Sequence, residues 1–200
     1  MKHPTLTPPP ATPVLLHACC APCSSAIIEW MLQHDIHPII YYYNPNIYPL
    51  DEYLHRRDES QRHAQALGLQ WVEGPYDHDA WLNYIHGLED EPERGARCLK
   101  CFTFRLLHAA HAAQQLHCQC LTTTLASSRW KSQPQIDQAG SIAQDQTGIT
   151  FWHQNWRKDG LSERRATLLR QFNFYNQLYC GCEYSKTAAD NQRALKDTTR

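Results

Sequence analysis

The apolar positions of this chain fall into short runs separated by longer amphipathic stretches. Residues 14–18 (Val-Leu-Leu-His-Ala) form a short apolar run that ends at two cysteines. That length suits a buried parallel strand. Residues 38–43 (Pro-Ile-Ile-Tyr-Tyr-Tyr) are rich in β-formers and stop at Asn44-Pro45. Between them Ile27, Ile28, Met31 and Leu32 share one helical face. Ser24 or Ser25 is placed to cap that helix. Strand, helix and strand make a right-handed βαβ unit. Further on, the pattern predicts helices over 51–67, 78–86, 98–116, 131–146 and 161–175. It predicts strands over 69–73, 120–125 and 149–152. The clearest helix sets Phe102, Leu106, Ala109, Ala110 and Ala113 on one face. Strands that alternate with helices predict an α/β fold, a three-layer sandwich with a mainly parallel sheet. Residues 1–13, polar and proline-rich, are expected to be disordered. Residues 14–186 read as a single catalytic α/β domain, and 187–200 as a polar tail.

Composition narrows the function. No apolar run approaches the roughly 18 residues that a membrane helix needs. Residues 1–13 lack the apolar core of a signal peptide, so the expected location is cytoplasmic. Structural disulfides are rare in a reducing compartment. Nine cysteines there point to metal or redox chemistry. The net charge of −1 conceals an asymmetry. Residues 1–93 carry 4 Lys/Arg and 13 Asp/Glu, whereas 94–200 carry 15 and 7. A basic half suits a polyanionic partner. No HExxH, Walker loop, GxGxxG or GxSxG is present, which leaves hydrolase and NTPase readings without support.

Six cysteines fall into three pairs: Cys19-Cys20, Cys98-x-x-Cys101 and Cys180-Gly-Cys182. The first pair follows the first strand, where α/β sheets place ligands and where a helix N-terminus favours thiolate. A CxxC at a helix start turns two sulfurs toward one point. Together the two pairs offer four thiolates, a set that suits Zn²⁺ or a [4Fe–4S] cluster. Adjacent cysteines fit a cluster more easily, since each can take a different iron. For Cys180-Gly-Cys182 two readings stand: a strained, labile disulfide, or a second metal site helped by Cys23 or a carboxylate. Cys120 reads as core.

Six segments in order complete the pattern: Leu-Leu-His-Ala-Cys-Cys-Ala-Pro-Cys-Ser; Tyr-Asn-Pro-Asn-Ile-Tyr-Pro with Arg57 after it; Arg-Cys-x-x-Cys-Phe-x-x-Arg; Thr-Thr-Thr-Leu-x-x-Ser with Lys131; Trp-Arg-Lys-x-Gly; and Tyr-Cys-Gly-Cys-Glu-Tyr-Ser. Over residues 14–186 this set resembles the QueH family of epoxyqueuosine reductases. The resemblance implies the last step of queuosine synthesis, reduction of the epoxide of epoxyqueuosine at the tRNA anticodon. It implies a fold like that of the adenine nucleotide alpha-hydrolases (HUP-like). It assigns Cys19, Cys20, Cys98 and Cys101 to a [4Fe–4S] cluster, and Cys180 and Cys182 to a redox-active pair. It also implies an additional metal ion, iron or zinc, with Cys23, Cys180 and Cys182 as its candidate ligands. An electron donor is required and is not identified by the residues. Candidates for substrate or tRNA contact are Tyr48, Arg57, Arg105, Lys131, Trp156, Arg157 and Lys158. Trp156, Tyr42 and Tyr48 are candidate stacking platforms. Candidate proton donors are His17, Tyr43, Tyr48 and Tyr184. Two readings of other classes stand beside this one: a metal-free thiol–disulfide oxidoreductase, and a zinc-stabilised nucleic-acid-binding protein.

Overall fold

A computed structural model of the chain describes residues 6–198. Strand β1 (Val14–Ala18) is buried along its whole length. It pairs in parallel with β2 (Ile39–Tyr42) on one side and with β4 (Cys120–Thr123) on the other. Strand β3 (Trp71–Glu73) extends the sheet beyond β2, and β5 (Thr150–Phe151) extends it beyond β4. The order is β3-β2-β1-β4-β5, all parallel. The chain therefore winds outward from β1 in one direction and then, from β4, in the other. Such a reversal opens a crevice at the carboxyl ends of the two central strands.

Helices flank the sheet. Helix α1 (Ala21–Gln33) packs against α2 (Leu50–Ala66) and α6 (Leu161–Gln171). Helix α4 (Ala96–Gln115) packs against α3 (His78–Ile85) and α5 (Gln133–Thr147). Helix α7 (Glu183–Thr198) closes the chain. Parallel strands buried on both faces need a continuous apolar sequence. β1 supplies one, apart from His17.

Four expectations change. Helix α1 begins at Ala21, before either serine, because Pro22 sits in its first turn with φ already helical. The Ser24 and Ser25 hydroxyls instead donate to the carbonyls of Cys20 and Pro22. The fourth strand ends at Thr123, whose hydroxyl accepts from the Leu125 N–H and starts a 3₁₀ turn, Thr124–Ser127. Residues 6–13, expected to be disordered, lie on the domain. The Leu6 N–H donates to Asp159 at 2.7 Å, and the Gln154 amide donates to the Thr7 carbonyl at 2.8 Å. Residues 187–198 of the expected tail belong to α7. Residues 1–5 and 199–200 lie outside the described residues.

Gly140 on α5 tests the packing of the outer strand. A Cβ there would fall 2.2 Å from the Phe151 ring on β5. Alanine for glycine in an open helix gains up to about 1 kcal/mol. Overpacking a filled site costs about 1–3 kcal/mol. Gly140→Ala is therefore expected to lower the thermal midpoint. An unchanged or raised midpoint contradicts the close contact.

His63 on α2 meets the rings of Phe172 and Phe174 edge-on. Burial lowers its pKa from 6.5. The unfolded chain thus takes up this proton more readily, so stability falls as pH drops below about 6.5. His63→Gln is expected to lose less stability than wild type between about pH 7 and 5. An equal loss in both proteins rules His63 out as a source of the acid sensitivity.

Candidate metal and redox site

The turn from β1 into α1 holds three thiols. Cys19 and Cys20 occupy the turn itself, and Cys20 is the N-cap. Cys23 follows in the first turn of the helix. The three sulfurs lie within 4.8 Å of one another, and all three residues are buried. Thr124, just past β4, reaches across the crevice. Its hydroxyl accepts from the Cys19 N–H at 3.0 Å and lies 3.3 Å from Cys19 Sγ, to which it donates. Hydrogen bonds from Cys20 and Cys23 hold Cys19 well below the usual thiol range, with Thr124 adding to them. Cys20 is pushed well above that range because it donates to Cys19. Cys19 is therefore the most acidic thiol of the trio, at the positive end of α1.

A second group faces it. Cys98 and Cys101 stand in the first two turns of α4, whose N-cap is Gly95. Burial pushes Cys98 up to about 11 and raises Cys101 as well. Cys98 lines one narrow cleft with Cys180, Cys182, Arg97 and Lys131. Cys180 and Cys182 are free thiols, and burial pushes Cys182 up to about 12. Gly181 between them has φ +132°, and a Cβ there would meet Arg56 Nη1 at 3.1 Å. Its carbonyl accepts from the Tyr48 N–H at 2.9 Å, and its N–H donates to Ser185 Oγ at 3.3 Å.

Buried cations join the two groups. Lys131 is 7% exposed and lines the cleft. Burial disfavours its charge, yet Cys180, Cys19 and Cys23 more than offset this and raise its pKa. Arg105 is 2% exposed, lies beside Cys101 and donates to Asn44 Oδ1. The Asn44 amide in turn donates to the Ala18 carbonyl at 2.9 Å, at the end of β1. Among the described residues neither Lys131 nor Arg105 pairs with a carboxylate. Arg56 is also buried. It pairs with Glu52 at 2.6 Å, donates to the Cys180 carbonyl at 3.3 Å, and lies 5.4 Å from the Tyr179 ring centre.

A buried cation without a carboxylate needs another anion close by. The groups that favour the charge of Lys131 are the thiols Cys180, Cys19 and Cys23. Cys98 and Cys182 line the same cleft and Cys101 lies beside Arg105, so these thiols form a soft donor set. Such a set fits zinc or an iron–sulfur centre. Cys19, Cys20 and Cys23 are grouped tightly, while Cys98 shares its cleft with Cys180 and Cys182.

Other candidate residues are distributed unevenly. Arg57 points outward and pairs with Asp58 at 2.7 Å. Its neighbour Arg56 faces the site. Trp156 is 1% exposed among Trp30 and Trp152, and Tyr42 is fully buried against Tyr53 and Trp71. Both are core, not platforms. Tyr48 is 44% exposed, beside the Cys180–Cys182 loop. Arg157 follows β5 and donates to Asn155 and Gln133. Lys158 lies in the same loop. His17 is fully buried, with Nδ1 against Thr123 Oγ1 and Nε2 against the Tyr43 carbonyl. Burial and Arg105 hold its pKa near about 3, so it is a bracing group and not a proton donor. Arg56, Thr124, Asn44 and Ser185 were not singled out from sequence. Thr124, Asn44 and Ser185 stand in the ordered motif segments without a role assigned there, and the signal for Arg56 is its spacing of four from Glu52 on a helix.

The family model described as "Epoxyqueuosine reductase QueH" matches residues 14–188. The chain is 42% identical over 188 residues to a protein of that name from Haemophilus influenzae, covering 94% of this chain and 76% of the relative. To the Histophilus somni protein it is 43% identical over 173 residues, 86% of this chain and 71% of the relative. To the Thermotoga maritima protein it is 31% identical over 175 residues, 86% and 89%.

Arg56 separates charge from hydrogen bonding in the clamp on the Cys180–Cys182 loop. Arg56→Gln removes the counter-charge of the half-buried Glu52, which keeps only the Tyr175 hydroxyl at 2.9 Å, a loss of up to about 3 kcal/mol. Arg56→Lys keeps the charge but loses the planar fork. The expected order of stability is wild type, Lys, Gln, measured by denaturant unfolding under reducing conditions. A Gln variant as stable as wild type contradicts a buried pair.

Proposed function

The chain belongs to the QueH family of epoxyqueuosine reductases, and we propose that it reduces the epoxide of epoxyqueuosine at the wobble position of the tRNA anticodon, with a [4Fe–4S] cluster as its electron-transfer group. The observation that carries this reading is the sulfur-rich crevice at the switch point, where Lys131 and Arg105 are buried with thiols as their counter-charge. Cys19, Cys20, Cys98 and Cys101 would hold the cluster. Cys180 and Cys182 serve as a redox pair, or with Cys23 as ligands of an additional iron or zinc ion. The 4.8 Å grouping of Cys19, Cys20 and Cys23 favours a second division, in which Cys23 sides with the first centre.

The reaction adds two electrons and two protons to the epoxide. Both C–O bonds break, a C=C bond forms, and the oxygen leaves as water. The cluster supplies low-potential electrons singly when bound. The protein's own residues do the rest. Lys131 faces the cleft as an ammonium, placed to balance negative charge as it develops on the oxygen. Tyr48, exposed beside the Cys180–Cys182 loop, is the proton donor best placed to reach a nucleoside. Arg105 lies beside Cys101, and the charge of Arg56 is favoured by Cys20 and Glu52 against its burial. An external donor returns the electrons. The basic residues Arg157 and Lys158, at the same end of the sheet, serve the tRNA backbone.

Anaerobic purification and metal analysis test the assignment. Wild type is expected to be brown, with about four irons per chain and epoxyqueuosine-reducing activity. Cys98→Ala is expected to lose the visible absorption and at least 100-fold in activity, about 2.7 kcal/mol. Cys23→Ala separates the two divisions: loss of one metal ion with the colour kept supports the additional site, and loss of colour supports the second. A colourless wild type that binds one zinc after anaerobic reconstitution sinks the cluster.

A further inference from the structure

The cysteine-lined cleft has an aromatic side chain at its edge that neither the chemistry nor the packing uses. Trp130 lines the cleft together with Cys98, Cys180, Cys182 and Lys131, yet its residue is 60% exposed. An indole is a large apolar surface to leave in water. Its sequence neighbour Arg129 lies over the ring, 4.8 Å from guanidinium carbon to ring centre.

The loop that presents this ring is fastened at several points. Arg94 donates from Nη2 to the Arg129 carbonyl at 2.9 Å and from Nε to the Trp130 carbonyl at 3.0 Å. The Trp130 and Lys131 N–H groups both turn back to Ser128, at 3.3 Å. Arg94 is itself held, its carbonyl accepting from the Gln135 amide at 2.9 Å. It adopts φ +67°, a left-handed conformation rare outside glycine. Its N–H donates to Cys98 Sγ at 3.3 Å. One strained residue thus ties the exposed indole to a thiol of the redox site. The surroundings are charged: Arg94, Arg97, Arg129 and Lys131 on the positive side, with Glu93 the acidic group at the cleft.

We infer that Trp130 is a stacking platform for an unpaired base of the RNA substrate, with Arg129 backing the ring and Arg94 fixing its distance from the cysteine site. This rests on the RNA reading above and adds a substrate-binding residue to it. Splayed bases of single-stranded loops stack on aromatic rings and on arginine planes. A flat indole rimmed by cations offers a base both a π-face and a phosphate counter-charge. A protein-docking patch would instead need an apolar surround, and here Glu93, Arg94, Arg97 and Lys131, half of the ring's neighbours at the cleft, are charged.

The test uses the metal-loaded enzyme and a fluorescently labelled RNA anticodon stem-loop, with the matching loopless duplex as control. Trp130→Ala is expected to weaken stem-loop binding by roughly 10- to 100-fold, with little change for the duplex. Trp130→Phe is expected to restore most of the affinity. Arg129→Gln is expected to weaken binding and reduce its salt dependence. Because the ring is exposed, the alanine variant is expected to melt with wild type. Wild-type stem-loop binding with unchanged affinity in Trp130→Ala overturns the platform and leaves the RNA reading standing. Unchanged binding with slower turnover from a protein electron donor, but not from dithionite, places Trp130 at a protein contact and also overturns it. A wild type that binds no stem-loop overturns the RNA reading and the platform together.

Discussion

The crevice depends on positive charge buried among sulfur. A long cationic side chain enters a protein interior only when an anion waits for it. Lys131 and Arg105 are more than nine-tenths buried, and the groups that stabilise them are thiols. The dependence runs both ways. The cations favour thiolate on cysteines that burial alone would keep protonated, as it does at Cys98 and Cys182. Removing the thiols would strand the cations, and removing the cations would silence the thiols. The buried trio Cys19, Cys20 and Cys23 has the grouping that could hold a metal ion there.

Sheet topology decides where this happens. β1 and β4 are neighbours in space but distant in sequence, and their following segments part in opposite directions. The turn after β1 carries Cys19, Cys20 and Cys23, and the turn after β4 carries Thr124 and leads to Lys131. Thr124 bonds to both the N–H and the sulfur of Cys19, so one hydroxyl joins the turn after β1 to the turn after β4.

The loops around the site share a mode of attachment. Each is fastened by a guanidinium that donates to main-chain carbonyls. Arg56 holds Cys180, Arg94 holds Arg129 and Trp130, Arg97 holds Leu88 and Glu89, and Arg165 holds Pro22. A guanidinium offers five donors in a planar fork and can span two carbonyls of an irregular loop. Part of the basic character of residues 94–200 therefore does structural service at the crevice. Other basic residues of this half pair with carboxylates: Arg164 with Glu29, and Lys186 and Arg193 with Asp190.

The sequence by itself determined the alternation of strands and helices, the right strand for the cysteine pair, and the residue types of the chemistry. Those features are local: period, β-propensity, a proline at a helix start, a CxxC at another. Family membership followed from the same ordered motifs. Only the tertiary structure decided which members of a pattern face the site. Arg56 turns inward and Arg57 outward because adjacent helical residues point about 100° apart, a choice set by what α2 packs on. Trp156 disappears into the core and Trp130 stays out. Cys23 joins Cys19 and Cys20 because Pro22 starts the helix early and brings it round one turn. Burial of Lys131 and Arg105 could not be read locally, since the thiols that stabilise them come from segments far away in the chain. Charge compensation in an interior is a property of the assembled fold.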